Sequence, residues 1–541
     1  MNNNINVSLA DSVLSKTLSR AVKASPDKIW LKTNSSNLTF SEVDKLSNRL
    51  ANAFVELNVK KHDAVLAMMP DSTDFIVAWC ALSKIGALEV PVNTAYNGQL
   101  LTHLINDSQA KIMICHADFL PRLIEVKSKL EHLTNIILVD SDKKIDLEND
   151  IGDAFQVTLF HDCYKASEAD LMTDVGGEEL ISIVYTSGTT GPSKGVMTTQ
   201  RHAYRYACTI IEALELNKQD VVYTCGMPLF HVAGKWGACY ATLIMGATLA
   251  IPDKFSLSSF WQDVKDFRAT TSLLPGVVAS LLYSQPEHKN DANSTLVKGC
   301  MVPLIPEFEQ FKARFGMRIS MAYGSTECGA PMVHPMNIPV TDRRSVGRLK
   351  SDLYEVAIVD GQDKELSAGE IGEIVVRSNE PWIMMLGYWN RPEATRKAWR
   401  NLWFHSGDAG FKDEEGNYFF VDRINDCIRR RGENVSSSEV EGIIIGHPDI
   451  LECAVYPVPS ELTEDEIMVA IVLKPDTRLA AEELIEYLQG KMPYFMVPRF
   501  VQFTQDLPKT ATGKVKKKEL SDIGVVESTW DCVAAGIKIK R

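Results

Sequence analysis

The sequence lacks the cysteine spacings from which zinc sites are built. None of its eleven cysteines belongs to a Cys-x-x-Cys pair, and His161 with Cys163 has no matching second pair. This pattern argues against a zinc site. The cysteines are scattered and odd in number. We therefore expect most of them to be reduced and to pack as small, buried apolar residues of a cytoplasmic protein.

Long hydrophobic runs and an excess of positive charge are also missing. No run of about 18 apolar residues occurs, and the first six residues have neither a basic nor an apolar segment, so we expect no transmembrane helix and no signal peptide. The 57 basic residues against 70 acidic ones leave a net charge of −13. This charge argues against a nucleic-acid partner, but it leaves room for a local basic pocket that binds a phosphorylated ligand.

The length of 541 residues is too great for one hydrophobic core, so two or more domains are expected. Helical and strand patterns alternate from about residue 40 to residue 300, which predicts an α/β fold with doubly wound parallel sheets. Helices are predicted at 40–57 and 75–85, the second ending at Gly86. Strands are predicted at 64–69, 88–92, 181–184, 221–223 and 247–251.

The character of the sequence changes twice in its last third. Short strands at 354–359, 373–376 and 417–421 predict a β-rich subdomain at about 345–423, which completes an N-terminal domain of residues 1–423. Residues 424–541 are predicted to form a small, mobile α+β domain. One helix is predicted to begin at a Ser436–Glu439 capping box, and a second helix is predicted to span 480–489. Strands are predicted at 452–458, 467–473 and 500–504.

The most informative stretch, 185–196, reads Tyr-Thr-Ser-Gly-Thr-Thr-Gly-Pro-Ser-Lys-Gly-Val and follows an apolar strand. Ten of its positions contain three glycines, five hydroxyl side chains and one lysine. Glycines let backbone amides turn toward an anion, and the hydroxyls and the ammonium add donors, so the loop has the chemistry of a polyphosphate site. It is not a Walker A loop, because Ser193 precedes Lys194 and Gly195 follows it.

Four more clusters carry groups suited to chemistry. They are the stretch 323–327 (Tyr-Gly-Ser-Thr-Glu), the stretch 403–408 ending in Asp408, Arg423, and Lys514 in a glycine-flanked turn. Each also has an ordinary structural interpretation. Glu327 would be an exposed charge, Asp408 a turn residue, Arg423 a surface ion pair and Lys514 part of a solvated basic tail.

Together and in this order, the clusters resemble the acyl-adenylate-forming enzymes, which include acyl-CoA synthetases, peptide-synthetase adenylation domains and beetle luciferases. The resemblance covers roughly residues 40–520, and further matching motifs lie at 84–87, 91–93, 227–231, 369–373, 431–435 and 508–514. It implies an ATP-dependent reaction in two steps. A carboxylic acid and ATP form acyl-AMP and pyrophosphate, and the thiol of coenzyme A then displaces AMP.

The resemblance also implies roles for individual residues. Lys514, His231 and Glu327 are the expected catalytic residues, and Mg²⁺ is expected at Thr186 and Glu327. The expected ATP and AMP site comprises Thr186, Ser187, Gly188, Thr189, Thr190, Lys194, Cys300, Tyr323, Gly324, Ser325, Thr326, Asp408, Arg423 and Lys514. The expected acyl pocket comprises His231, Val232, Lys235, Met301 and Gly324, with Gly432 lining the coenzyme A tunnel and Asn425 acting as the hinge.

Three positions depart from a simple reading. His231 is either a packed core residue or a gate between the acyl pocket and the thiol tunnel, and we favour the gate. Relatives usually carry Asp or Lys at the hinge, where this chain has Asn425. Lys235 either extends its ammonium to solvent or pairs with a second polar group of the acid. A lysine that lines the acyl pocket would suit a cationic acid poorly.

Among alternatives, we favour a free-standing CoA ligase of the medium-chain or carnitine-type branch. Only 27 residues follow Lys514, too few for a carrier-protein domain. The remaining alternatives are an adenylation enzyme that loads a separate carrier protein and a catalytically silent AMP- or acyl-binding regulator. The identity of the acid stays open, as does the choice between a monomer and a homodimer.

Overall fold

A computed structural model describes residues 6–139, 154–171, 173–186, 193–340, 342, 344–424, 428–430, 433–460, 465–489, 491–510, 513–537 and 539. The chain forms two compact units. The first unit comprises Met1–Gly188, Pro192–Val356 and Val376–Phe404, and the second comprises Thr189–Gly191, Ala357–Val375 and His405–Arg541. Within the described residues, no helix has the length and apolar character needed to cross a membrane.

The strands are numbered in chain order. Those up to residue 349 are β1 (Ile29–Lys32), β2 (Asn37–Thr39), β3 (Ala64–Met68), β4 (Leu88–Pro91), β5 (Ile112–His116), β6 (Asn135–Val139), β7 (Gln156–Leu159), β8 (Leu180–Thr186), β9 (Lys194–Thr199), β10 (Val221–Tyr223), β11 (Thr248–Ala250), β12 (Thr271–Pro275), β13 (Lys298–Val302), β14 (Arg318–Ser325), β15 (Gly329–His334) and β16 (Ser345–Leu349). The later ones are β17 (Tyr354–Val359), β18 (Gly372–Ser378), β19 (Gly387–Tyr388), β20 (Trp399–Arg400), β21 (Trp403–Lys412), β22 (Asn417–Arg423), β23 (Ile428–Arg430), β24 (Glu433–Val435), β25 (Ile450–Pro459), β26 (Asp465–Leu473), β27 (Phe500–Phe503) and β28 (Trp530–Asp531).

Helices connect these strands in the alternation that the sequence predicts. The α-helices are Leu14–Ala24, Phe40–Glu56, Thr73–Ile85, Gly98–Ser108, Leu120–Val126, Phe160–Cys163, Gln200–Ala213, Ala241–Met245, Phe260–Phe267, Gly276–Tyr283, Phe308–Phe315, Pro392–Ala398, Ser437–Ile444, Ala481–Leu488 and Lys517–Ile523. In the described part of the chain, 3₁₀ turns at Leu9–Asp11, Ala117–Phe119 and Lys127–Lys129 and a π-helix at Ala233–Tyr240 accompany them.

Local sequence signals account for the ends of the predicted helices. Thr39 and Glu42 form a capping box that starts the helix Phe40–Glu56, each side chain accepting from the other residue's backbone N–H. Gly86, at φ 68°, adopts the left-handed conformation that ends the helix Thr73–Ile85. The Ser436 hydroxyl likewise caps the helix Ser437–Ile444 by accepting from Glu439 N.

Two sheets of the first unit carry the strands that flank the predicted phosphate loop and the strand β14 that leads to Glu327. One has the strand order β19-β9-β8-β4-β3-β5-β6-β7, parallel from β8 to β7 and antiparallel at β8, β9 and β19. The other runs β16-β15-β14-β13-β12-β10-β11-β1-β2 and is parallel from β14 to β1. The helix Thr73–Ile85 is buried at every position from Phe75 onward, as expected of a helix with apolar residues all round. The predicted α/β class is confirmed.

The second unit contains a β-hairpin and a small α+β sheet. Strand β21 pairs antiparallel with β22, which sets Asp408 opposite Arg423. The sequence predicted only the second of these two strands. The sheet β25-β26-β27-β28 packs a core with the helices Ser437–Ile444 and Ala481–Leu488, as predicted. The exact domain boundary between 423 and 424 stays a prediction.

Candidate active site

The predicted phosphate loop is flanked by two strands that the structure describes. Strand β8 ends at Thr186 and β9 begins at Lys194, and the antiparallel register sets these two residues opposite each other. A hydroxyl and an ammonium therefore stand at the ends of the two strands that flank the predicted loop. Four of the predicted loop residues lie outside the described residues: Ser187, Gly188, Thr189 and Thr190.

Glu327 brings a carboxylate to Thr186, at the end of β8. Its Oε1 accepts from Thr186 Oγ1 at 3.4 Å and from the Tyr388 hydroxyl at 3.2 Å. The ring of Tyr388 lies below the Lys194 ammonium, 5.2 Å from ring centroid to Nζ. Tyr388 was not among the predicted site residues. It comes into place because β19 pairs with β9, setting Tyr388 opposite Val196.

The segment 323–327 makes a tight turn at the end of β14. A Cβ at Gly324 would lie 2.1 Å from the Gly329 carbonyl oxygen, so only glycine fits. The Ser325 hydroxyl accepts from Glu327 N at 3.2 Å and stabilises the turn. Tyr323 and Thr326 are largely buried, at 9% and 7% exposure, whereas Gly324 is exposed.

His231 is exposed and is not a packed core residue. Its Nδ1 accepts from Ala233 N at 3.1 Å, and its carbonyl accepts from Lys235 N at 3.0 Å. The following residues wind into the π-helix Ala233–Tyr240, a form that often occurs at functional sites. Gly234 lets this helix approach the preceding loop, because a Cβ there would lie 2.3 Å from the Pro228 carbonyl oxygen.

Lys235 forms a buried ion pair with Glu89, with side-chain exposures of 3% and 1%. Its Nζ also lies 3.9 Å from the centroid of the Phe75 ring. Desolvation raises the pKa of Glu89 and lowers that of Lys235, and each partner's charge opposes the shift of the other. The interpretation in which the Lys235 ammonium reaches solvent is wrong, because the side chain is buried and the Glu89 carboxylate compensates its charge inside the protein.

Two further predicted acyl-pocket residues, Val232 and Met301, are buried, as is the predicted nucleotide-site residue Cys300, whereas Gly324 is exposed. Val232 is 4% exposed, and Cys300 and Met301, in the middle of β13, are 1% and 0% exposed. Met301 pairs with Leu274 of β12, and Cys300 pairs with Ser320 of β14.

In the second unit, the predicted ribose residues lie together. Arg423 Nη1 is 2.9 Å from Asp408 Oδ1, and the side chain of Asp408 is 8% exposed. The interpretation of Asp408 as a turn residue is wrong, since it lies within strand β21. Its partner Arg423 is the residue that the antiparallel register sets opposite it on β22.

Lys514 is exposed, and its carbonyl accepts from Thr510 N at 2.7 Å. It lines a cavity of about 240 Å³ together with Glu441, Cys453, Val515 and Lys517. Desolvation and then the Arg423 charge lower the pKa of Lys514, and the Asp408 carboxylate opposes them. Lys514 is therefore electrostatically coupled to the Asp408–Arg423 pair. The predicted hinge Asn425 and the predicted tunnel residue Gly432 lie outside the described residues.

The candidate site residues supply hydroxyl, carboxylate and ammonium side chains. Such side chains are suited to binding a nucleoside triphosphate. Within the described residues, no group of three or more His, Cys, Asp or Glu side chains could hold a metal ion by itself. A cation at Glu327 would therefore need ligands from a bound substrate.

Comparisons with known proteins agree with this chemistry. The family model "AMP-binding enzyme" matches residues 18–389, and "AMP-binding enzyme C-terminal domain" matches residues 439–514. The crotonobetaine/carnitine–CoA ligase of Citrobacter koseri is 32% identical over 89% of this chain and 92% of its own length. The enzyme of the same name from Escherichia coli is also 32% identical, with the same coverage.

Solved structures confirm the fold. An anthranilate CoA ligase, AuaEII, in complex with anthranoyl-AMP superposes with a TM-score of 0.84 at 24% identity, covering 99% of this chain and 100% of its own. ATP-bound MatB from Rhodopseudomonas palustris superposes with a TM-score of 0.80 at 25% identity, covering 94% and 98%. The predicted arrangement of a large N-terminal and a small C-terminal domain is confirmed. The chain belongs to the AMP-binding enzyme family and is an ATP-dependent acid:CoA ligase, which forms acyl-AMP and then acyl-CoA.

Proposed function

We propose that this ligase activates a small carboxylic acid of the betaine type. Crotonobetaine and carnitine, after which the similar ligases are named, are acids of this type. The observation that supports this proposal is the Lys235–Glu89 ion pair. An uncompensated ammonium in the acyl pocket would repel a quaternary ammonium group, but Glu89 cancels the charge of Lys235. The main electrostatic objection to a cationic acid is therefore removed.

The residues of the first unit receive roles at the phosphates and the base. Lys194, with Thr186 and the loop 187–190, holds the β- and γ-phosphates, since these side chains are donors. Thr326 contacts the α-phosphate, and the ring of Tyr323 faces the adenine. Cys300, Gly324 and Ser325 complete the nucleotide site.

The residues of the second unit receive roles at the ribose and the reacting carboxylate. Asp408 accepts hydrogen bonds from the ribose hydroxyls, and Arg423 donates to the ribose. Lys514 donates to the substrate carboxylate and to an α-phosphate oxygen, which offsets the repulsion between two anions as they approach.

Mg²⁺ fits the chemistry at Glu327 and Thr186. This cation prefers one or two carboxylates together with phosphate oxygens and water, and Glu327 Oε1 with Thr186 Oγ1 offers such hard oxygen ligands. When bound, the ion neutralises charge on the phosphates. The Tyr388 hydroxyl fixes the orientation of the Glu327 carboxylate.

His231, exposed two residues before the π-helix, is proposed to gate the acyl pocket that Val232, Lys235, Met301 and Gly324 help to form. Asn425 is proposed as the hinge between the two half-reactions, and Gly432 as part of the coenzyme A tunnel. A cytoplasmic location and a homodimeric assembly complete the proposal.

The test is pyrophosphate release across a panel of acids, with and without coenzyme A. The panel contains carnitine, crotonobetaine, the neutral isostere of crotonobetaine in which carbon replaces the quaternary nitrogen, and octanoate. We expect a higher kcat/KM for crotonobetaine than for its isostere, and acyl-CoA only when coenzyme A is present. A preference for the isostere or for octanoate would refute the betaine assignment while leaving the ligase activity in place.

A further inference from the structure

We propose that Glu373 and His405 are positioning residues that hold Asp408 in place for the ribose of ATP. This inference rests on the proposed role of Asp408. Both carboxylate oxygens of Glu373 form hydrogen bonds with residues 405–407, which precede Asp408 in the chain. Its Oε2 lies 2.8 Å from His405 Nδ1, and its Oε1 accepts from Gly407 N at 3.0 Å. One carboxylate therefore holds two of the three residues that precede Asp408.

The backbone at Gly407 explains why an acceptor is needed there. Gly407 has φ 71°, in the left-handed region, and a Cβ would meet nothing within 4 Å. Glycine is therefore required by conformation and not by lack of space. In this conformation the Gly407 N–H donates to Glu373, which gives a partly buried donor its partner.

A second connection holds the backbone of Asp408 itself. Ser406 Oγ donates to the Ile374 carbonyl at 2.6 Å and accepts from Asp408 N at 3.0 Å. Because Ile374 follows Glu373 in β18, the same short segment reaches Asp408 through two routes. Arg423 contacts the side-chain carboxylate of Asp408, with Nη1 at 2.9 Å from Oδ1.

His405 is held between two carboxylates. Its side chain is 4% exposed, and those of Glu373 and Asp363 are each 14% exposed. Nδ1 faces Glu373 at 2.8 Å, whereas Nε2 is 3.9 Å from Asp363 Oδ2 and has no hydrogen-bond partner within the described part of the chain. A carboxylate accepts, so Nδ1 carries the proton and the ring donates to Glu373. The ring thus fixes the rotamer of the carboxylate that holds Gly407.

The test compares ATP with 2′-deoxy-ATP and 3′-deoxy-ATP in the pyrophosphate-release reaction. A hydrogen bond to a charged group contributes enough to give about 10- to 100-fold discrimination in kcat/KM by the wild-type enzyme. The Glu373→Gln variant retains the side-chain shape but lacks the second anionic oxygen. We expect its preference for ATP over each deoxynucleotide to fall by about 10-fold or more, through KM for ATP. A general structural defect would lower activity on all three nucleotides equally, and that result would overturn the inference.

Asp408→Asn separates this inference from the role on which it rests. If Asp408→Asn keeps the wild-type discrimination, the ribose role of Asp408 is wrong, and the positioning role falls with it. If Asp408→Asn loses the discrimination while Glu373→Gln keeps it, only the positioning role is wrong.

The His405 variants provide the same test if Glu373→Gln does not fold. Asparagine carries a donor close to the position of Nδ1, so His405→Asn is expected to keep the discrimination, whereas His405→Ala is expected to lose it. Equal discrimination in these two variants would contradict the inference.

Discussion

The buried Lys235–Glu89 pair makes the sharpest prediction. Replacing Lys235 with methionine keeps the volume of the side chain but leaves the Glu89 carboxylate unpaired at 1% exposure. Removing one partner of a buried ion pair destabilises a protein by about 3–5 kcal/mol, because the remaining charge cannot be solvated. We therefore expect Lys235→Met to lower the free energy of unfolding of the first unit by about that amount.

The loss is expected to depend on pH. Burial already raises the pKa of Glu89, and the Lys235 charge is what opposes the rise, so the pKa climbs further in Lys235→Met. The unfolded carboxyl titrates near ~4.3. Below that pH the group is protonated in both states, and the penalty is absent. As the pH rises above it, the unfolded chain loses a proton that the folded state retains, so stability falls until the pH passes the folded pKa.

The assay is urea unfolding followed by tryptophan fluorescence at pH 5.5 and pH 8. Trp79 reports on this region, since its ring centroid lies 5.6 Å from Lys235 Nζ. The matched control is the double variant Glu89→Leu/Lys235→Met, which removes both charges and is expected to be about as stable as the wild type or more so. If the single variant were as stable as the double variant at pH 8, the ion pair would not compensate a buried charge, and the reasoning would be wrong.

Three further variants test the site. Lys514→Met is expected to slow acyl-AMP formation at least about 100-fold in the pyrophosphate-release assay, since a charged donor at the reacting phosphate is lost, while thioester formation from supplied acyl-AMP persists. Tyr388→Phe removes a hydrogen bond to Glu327 but keeps the ring, and is expected to lower kcat/KM for Mg²⁺-ATP about 10-fold or more. Gly324→Ala forces a Cβ against the Gly329 carbonyl and is expected to destabilise the first unit by about 1–3 kcal/mol in thermal unfolding.

Each of these variants has its own control. An equal loss of both half-reactions in Lys514→Met would contradict the division of labour. A reduction in unfolding temperature for Tyr388→Phe would indicate a packing role in place of an orienting one. Gly361→Ala is the matched control for Gly324→Ala, because a Cβ at Gly361 meets nothing within 4 Å. Equal unfolding temperatures for these two alanine variants would rule out the close approach at Gly324.

Much of the fold could be predicted because its signals are local. The capping box at Thr39 and the glycine at Gly86 act within one turn of helix, so they place helix ends without knowledge of the rest of the chain. Strand β21 was missed, since its polar and glycine residues resemble a turn. Its ten residues, Trp403–Lys412, extend because β22 pairs with them, which is a non-local cause.

The candidate site divides in the same way. The residues Lys194, Glu327 and Asp408 could be found from the sequence because each belongs to a short motif with groups suited to nucleotide binding. These motifs occur in a recognisable order along the chain. Tyr388 and Glu89 could not be assigned, since their partners lie 61 and 146 residues away. Only strand pairing and helix packing bring such side chains together.

The sequence by itself determined the family, the reaction class and the α/β architecture, because these depend on the order of local motifs and on the periodicity of apolar residues. The tertiary structure decided the electrostatic state of Lys235, the orientation of Glu327 by Tyr388, and the connection from Glu373 to Asp408. The physical reason is that the cost of a charge and the direction of a carboxylate depend on what surrounds them in space. Those surroundings come from residues that are distant in the chain.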